Sequence, residues 1–299
     1  MVNGFLNLYK PSGITSMEAV RQIKKPLGRI KVGHCGTLDP LAEGVLPIAI
    51  GTASRIVEYV LHESKTYKAR IQLGQTTNTF DSEGIVTNTQ PTSHITSQLI
   101  QDTLKNYLGN IRQVPPIFSA LKRQGKPLYK YAREGRQIAI EAREVTIHNI
   151  DLLAVANPYI DLRVECGAGT YIRSLAHDLG NSLGCGGHLS ALIREESSGF
   201  NIADTVSLAT LTKNITQSPE DILKYLLPID APIKYIPKLG VTHLNALALG
   251  HGRPIPAHHH QEWDSRSPLR RAYNPSSTFI SIIEFNDSNG TWKPVKVFY

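Results

Sequence analysis

Apolar positions along the chain fall into two periods, and the switches between them mark the elements. Alternation is clearest from Lys65 to Leu73, where Tyr67, Ala69, Ile71 and Leu73 face one way and Lys68, Arg70 and Gln72 the other. A period of two is that of a half-buried strand. Phe5 to Tyr9, the apolar run Val45 to Ile50, and Leu162, Val164 and Cys166 read as further strands. Spacings of three and four predict helices. One is capped by Thr15 or Ser16 and stopped by Pro26, and one starts near Ser54 with Ile56, Val57, Val60 and Leu61 on a face. Another runs from about Thr96 to Leu108, with Leu99, Leu104 and Leu108 on one side, and ends at Gly109. A fourth carries Ile172, Leu175 and Leu179 after a cap at Thr170. Between these elements GRIKVGHCGTLDPLAEG shows neither period, which predicts a glycine-rich loop of the kind that carries function.

Prolines at 228, 232 and 237 separate a C-terminal piece whose strands Phe279 to Phe285 and Trp292 to Phe298 flank the turn NDSNG. At 299 residues the chain is long enough for two domains. Lys and Arg number 32 against 25 Asp and Glu, a basic balance that suits a polyanionic partner. The basic residues gather in Gln113 to Val145, where Lys122, Arg123, Lys126, Lys130, Arg133, Arg136 and Arg143 interleave with Phe118, Tyr129 and Tyr131. That segment reads as an RNA-contacting arm or as an ordinary solvated surface. Cys35, Cys166 and Cys185 form neither a CxxC pair nor a disulfide framework, so a reducing cytoplasm fits best. With no signal-like start and no apolar stretch near 18 residues, the expectation is a soluble, untargeted, cytoplasmic protein.

Two residues stand out chemically. Asp39 precedes Pro40, which biases it to an extended backbone, and it has small Gly36 and bulky Leu38 beside it in an irregular loop. Asp before Pro is also a common turn, so composition alone leaves its role open. Arg173 falls off the apolar face in the first turn of its helix, where the dipole disfavours a cation by a few tenths of a kcal/mol; a rule broken this way predicts an anionic partner. The triplet His258, His259, His260 invites a metal reading, but no carboxylate or cysteine set completes a site, and a solvated loop is the expectation.

The segments KPSGITS, VGHCGTLDPLAEGVLPIAIG, SKTYKARIQLG, TFDSEG, QVPPIFSALKRQGKPLYKYAREG, CGAGTYIRSLAHDLG and GGHLSALIR, in this order from about Gly4 to Phe200, together resemble the TruB-type tRNA pseudouridine synthases, which convert uridine 55 of the T loop. The resemblance implies an α+β fold: a mixed, mainly antiparallel sheet with flanking helices over 1–232, and a small β-rich PUA-like domain over 233–299, suggested by GHGRPI. By the same resemblance Asp39 is the essential carboxylate, Tyr67 stacks on the target base, and Arg173 pairs with the aspartate. His34 fills the space the flipped base leaves, and Lys10, Asp81, Tyr171 and Leu192 line the site. Lys126 and Lys130, with Lys10 and Lys31, are expected to contact phosphates. Departures are Cys35 where threonine is common, Glu43 where a small or hydroxyl residue is common, and Ile193 Arg194 where two arginines are usual.

The implied partner is the T-arm stem-loop of tRNA, met by a monomer with no obligate protein partner, and no cofactor is implied, because an isomerisation involves no net redox change or hydrolysis. Asp39 has three open roles: nucleophile at the sugar, nucleophile at the base, or general base for the ribose 2′ proton. Two rival readings of the chain are a guide-RNA-dependent relative acting on ribosomal RNA and an RNA chaperone without chemistry.

Overall fold

The structure, a computed structural model, describes residues 2–61, 63–119, 121–123, 125–136, 138–257 and 268–298. Its framework among the described residues is an eleven-stranded mixed sheet. The continuous path runs Val206–Ser207, Gly4–Lys10, Glu43–Ile50, Gly187–Ser197, Lys65–Leu73, Tyr159–Cys166, Arg143–Ala156, Gly109–Gln113. Neighbours on that path are antiparallel except Gly4–Lys10 with Val206–Ser207 and Gly187–Ser197 with Glu43–Ile50. The mixed, mainly antiparallel α+β architecture is the one anticipated.

Alternation explains how the strands are used. Tyr67, Ala69, Ile71 and Leu73 are buried, as their period requires, while Arg70 on the other face pairs with its cross-strand neighbour Asp161 at 2.7 Å. Nearer the N-terminus both faces are covered, which is why Phe5 to Tyr9 and Val45 to Ile50 read as nearly continuous apolar runs. Leu6, Leu8, Leu46 and Ile48 pack in one core with Val20 and Ile23 of helix Ser16–Leu27, Leu175 and Leu179 of helix Ile172–Ser182, and Leu211 of helix Leu208–Gln217. Phe5, Val45 and Ala49 enter a second core with Ile233, Ile236 and Ile282. Ile282 belongs to a sheet with five strands among the described residues, ordered Lys238–Gly240, Leu269–Tyr273, Phe279–Asn286, Thr291–Val297, Ile255–Pro256. The proline-rich connection is therefore packed. Arg271 ties it down by donating to Asp230 Oδ2 at 2.9 Å and to the carbonyl of Ile236 at 2.7 Å.

Several local expectations shift. The first helix has a capping box at Thr15 and Glu18, but it runs one residue past Pro26. In the helix Ser97–Leu104 the buried face is Ile100, Thr103 and Leu104; Leu99 and Leu108 are exposed, because Ile100 and Leu104, four apart, set the phase. The helix near Ser54 starts as a 3-10 turn over Gly51–Ile56 and becomes α-helical at Val57–Leu61. The glycine-rich loop contains a short strand, Val32–His34, paired with Glu43–Ile50. Tyr171, not Thr170, occupies the cap of the helix Ile172–Ser182; the Thr170 hydroxyl donates back to Gly167 O at 3.1 Å. Among the described residues no helix is long and apolar enough to cross a membrane. His258, His259 and His260 lie outside the described residues.

Candidate active site

Asp39 has no regular secondary structure to position it, so its loop is held by side chains from elsewhere. Ser16, at the start of the first helix, accepts from Leu38 N at 2.8 Å and donates to Leu38 O at 3.0 Å, fixing the residue before the aspartate from both sides. Gly13 N donates to Pro40 O at 2.8 Å and Ser12 Oγ to Leu41 O at 2.9 Å. Lys10 is fully buried beneath, its ammonium donating to the carbonyls of Pro11, Ile14 and Pro40 at 2.8, 2.7 and 3.4 Å. Burial lowers its pKa to about 8, against the pull of Asp39. On the other flank Arg194, 1% exposed, donates to Val45 O at 2.7 Å, Gly36 O at 3.2 Å and Thr37 O at 3.5 Å. A Cβ on Gly44, paired in register with Arg194, would stand 2.4 Å from the Arg194 carbonyl, so only glycine fits that approach.

Arg173 is the hub. Its Nε lies 2.9 Å from Asp39 Oδ2, an ion pair whose N–H direction misses hydrogen-bond alignment. Nη1 lies 3.3 Å from Asp81 Oδ2 and also 3.3 Å from Thr79 O, and Nη2 donates to Phe118 O at 3.0 Å. One guanidinium thus joins the Asp39 loop, the TFDSEG loop and the base of the basic arm. Asp81 is buried and also accepts from Thr79 Oγ1 at 2.6 Å. These groups face a cavity of about 690 Å³, walled by Tyr67, Leu192, Tyr171, Ser119 and Tyr129 among others. Asp39 keeps 36% side-chain exposure, but that exposure is to the cavity. Burial therefore dominates and raises its pKa above the usual carboxylate value, with Arg173 pulling the other way and Asp81 adding to the rise. Burial likewise raises Tyr67, opposed by Arg194, so its phenol stays protonated.

The sequence that builds this cavity matches a known set of proteins. Residues 24–172 match the model of the TruB family pseudouridylate synthase N-terminal domain, and residues 173–234 that of the tRNA pseudouridylate synthase B C-terminal domain. The chain is 38% identical over 297 residues, 99% of its own length and 97% of the relative's, to a tRNA pseudouridine synthase B of Dehalococcoides mccartyi. It is 39% identical to that of Clostridium kluyveri, covering 99% of this chain and 100% of the relative. The chain belongs to the TruB family of pseudouridine synthases. Solved structures agree: an H/ACA RNP bound to a substrate RNA containing 2′-deoxyuridine aligns with TM-score 0.74 and 25% identity, over 99% of this chain and 85% of that one. A Cbf5-Nop10-Gar1 complex aligns with TM-score 0.73 and 27% identity, over 99% and 84%. The two TruB family segments meet in the first turn of Ile172–Ser182, so Asp39 comes from one and Arg173 from the other.

Asp39, Tyr67, Asp81, Tyr171, Arg173 and Leu192 all line the one cavity. His34 lies outside its lining on Val32–His34, where burial and then Arg194 lower its pKa. Lys10 departs from its expected part: it has no exposure and its ammonium is committed to three carbonyls, so it braces the loop and offers no surface cation to a phosphate. Lys126 pairs with Glu134 and stands 4.7 Å from the Tyr131 ring, while Lys130 is exposed. Sequence reasoning missed Ser16 and Arg194 as the braces of the loop and Gln113 as the partner of Tyr171, whose N–H it accepts at 2.8 Å and whose carbonyl it donates to at 3.0 Å. Arg194 had a signal: an arginine in the alternating apolar strand Gly187–Ser197 needs internal partners.

Proposed function

We propose that this chain isomerises uridine 55 in the T loop of tRNA to pseudouridine, acting on the T-arm without a protein partner or cofactor. The observation that carries the reading is the Asp39–Arg173 pair, 2.9 Å apart on the floor of the cavity that Tyr67 flanks. The reaction breaks the bond from ribose C1′ to uracil N1, rotates the base, joins C5 to C1′ and releases the C5 proton, while N1 takes up a proton from solvent, so that the product is an isomer. A base within an RNA stack cannot rotate, so it is flipped out at a cost of a few kcal/mol. Stacking on Tyr67 offsets about 1–3 kcal/mol of that. Asp39 is the catalytic carboxylate and Arg173 keeps it ionised and oriented. Removal of the ribose 2′ proton, giving a glycal-like intermediate, suits a carboxylate whose pKa is raised, because a more basic group is a better general base near neutrality.

Residues 1–232 form the catalytic unit in this reading. Residues 233–299 form a PUA-like unit that helps hold the tRNA arm, and the segment 113–145, with Lys126 and Lys130, closes over the RNA. His34 waits to occupy the place vacated by the base. The relatives named tRNA pseudouridine synthase B support a tRNA enzyme, which we read as one that stands alone in the cytoplasm. The likeness to the H/ACA and Cbf5 structures keeps a guide-dependent enzyme as the second reading. Purified protein incubated with a bare T-arm hairpin carrying tritium at uracil C5 distinguishes the two. Tritium release from the one T-loop uridine is the expected result, and none from the bare hairpin overturns it.

A further inference from the structure

The TFDSEG loop carries Asp81, yet its shape is unfavourable on its own. Phe80 adopts φ +64°, the left-handed region that a bulky side chain avoids at a cost of order 1–3 kcal/mol. A residue persists there only when its surroundings hold it. Two contacts hold Phe80: Leu189 N donates to its carbonyl at 3.0 Å, and its ring lies flat on the His177 imidazole, centroids 3.8 Å apart and planes within 14°. His177 is one turn beyond Arg173 on the same helix, and Phe80 is flanked by Thr79 and Asp81, the two residues that meet Arg173 Nη1. The stack therefore clips the loop to the helix beside the contact between Asp81 and the guanidinium.

We propose that Phe80 and His177 are positioning residues. Their stack sets the distance between the TFDSEG loop and the helix Ile172–Ser182, and so holds the Arg173 guanidinium between Asp81 and Asp39. Neither ring is in the lining of the cavity, so they act through Arg173 and not on the base. His177 works through its flat face: Nδ1 is buried with no partner, and its Nε2 contact, 3.0 Å, is to Asn181 on its own helix. Burial lowers its pKa, which keeps the ring neutral against phenylalanine. A phenylalanine in its place keeps the stack and removes an unsatisfied nitrogen. This role presupposes the catalytic part given above to Asp39 and Arg173.

The test compares His177→Ala, His177→Phe and Phe80→Gly with the full-length enzyme on the T-arm hairpin. A 1 Å misplacement near a reacting group costs on the order of 10²-fold. His177→Ala should therefore lower kcat by about tenfold or more with KM nearly unchanged, and His177→Phe should restore it. Phe80→Gly should be as slow as His177→Ala, although glycine suits the left-handed backbone better; recovery there would mean that strain and not the ring was at issue. A second readout needs no turnover: the Arg173 Nε–H resonance, assigned by its loss in Arg173→Lys, should stay at its wild-type position in His177→Phe and move toward the free-arginine position in His177→Ala. A wild-type kcat and an unmoved resonance in His177→Ala overturn the proposal, as does a His177→Phe variant no better than His177→Ala. If the wild-type enzyme itself releases no tritium, the functional reading fails, and the resonance alone still decides the stack.

Discussion

The Asp39 loop and the basic arm are both irregular stretches at the cavity, and they are built in opposite ways. The loop is held by buried groups: Lys10 from below, Arg194 from the side and Ser16 at the preceding residue, each hydrogen-bonded to main-chain atoms. The arm's Lys126–Glu134 and Arg136–Glu134 pairs are partly or largely exposed, and Lys130 is free to meet solvent. Exposed pairs contribute about 0–1 kcal/mol, whereas an unpaired buried polar group costs about 1–3 kcal/mol. The carboxylate is thus fixed before any ligand arrives, and the arm keeps its cationic surface available for a partner. Arg173, on the helix Ile172–Ser182, bridges the two regions, paired with Asp39 and donating to Phe118 O.

The contrast is open to experiment. The largest effect expected is from Asp39→Asn, which should cut turnover more than a hundredfold, about 2.7 kcal/mol of barrier, while RNA binding and thermal midpoint persist. Tritium release and gel-shift titration check both halves, and a rate above about a hundredth of wild type removes Asp39 from the centre.

Next comes the brace. Arg194→Met strands the carbonyls of Val45, Gly36 and Thr37 and should destabilise the fold in urea titration, by about 1–3 kcal/mol for each carbonyl that stays buried without a donor. Lys126→Ala should barely move the same midpoint; equal losses would erase the distinction between loop and arm.

Two pH effects are smaller. Because burial raises Asp39, kcat/KM should fall with acidity above the ordinary carboxylate range, and Arg173→Gln should move that acid limb higher, since Arg173 lowers the pKa. Lys10 shifts the other way. Its folded pKa, about 8, lies below the free value of 10.5, so the unfolded chain holds more protons between those values and the wild type gains stability from this group as pH rises through them. The wild-type minus Lys10→Met difference in midpoint should therefore grow from pH 8 to pH 10, and a flat difference contradicts the burial of the ammonium.

The smallest effect is on salt dependence. Lys130→Ala should lower the slope of log affinity against log salt by about 0.7–0.9, the value for one lost phosphate contact. Lys126→Ala should lower it less, because Glu134 already balances its charge. An unchanged slope in both places the RNA path elsewhere.

Much of the framework was legible because periodicity reports burial directly. The strand Lys65 to Leu73, the helix at Ile172 and the hairpin around NDSNG all follow from local pattern. Arg173 was legible as a cation in the wrong turn, and its anionic partners are Asp39 and Asp81. Leu99 and Leu108 misled, because an apolar residue at helical spacing does not announce which face the rest of the chain will cover.

Lys10 and Arg194 mark the boundary between the two kinds of information. By itself the sequence determined the elements, the family and the small set of residues able to carry the chemistry, since period and motif are local properties. It did not determine that a lysine beside a turn is sealed under the loop while another, Lys130, faces solvent. Nor did it reveal that one guanidinium gathers three segments lying up to 134 positions before it in the chain, as Asp39 does before Arg173. Charge is worth far more in a buried site than in water, and whether a charged side chain is buried depends on long-range strand pairing and on which main-chain carbonyls that pairing leaves without partners. Only the tertiary structure supplies those.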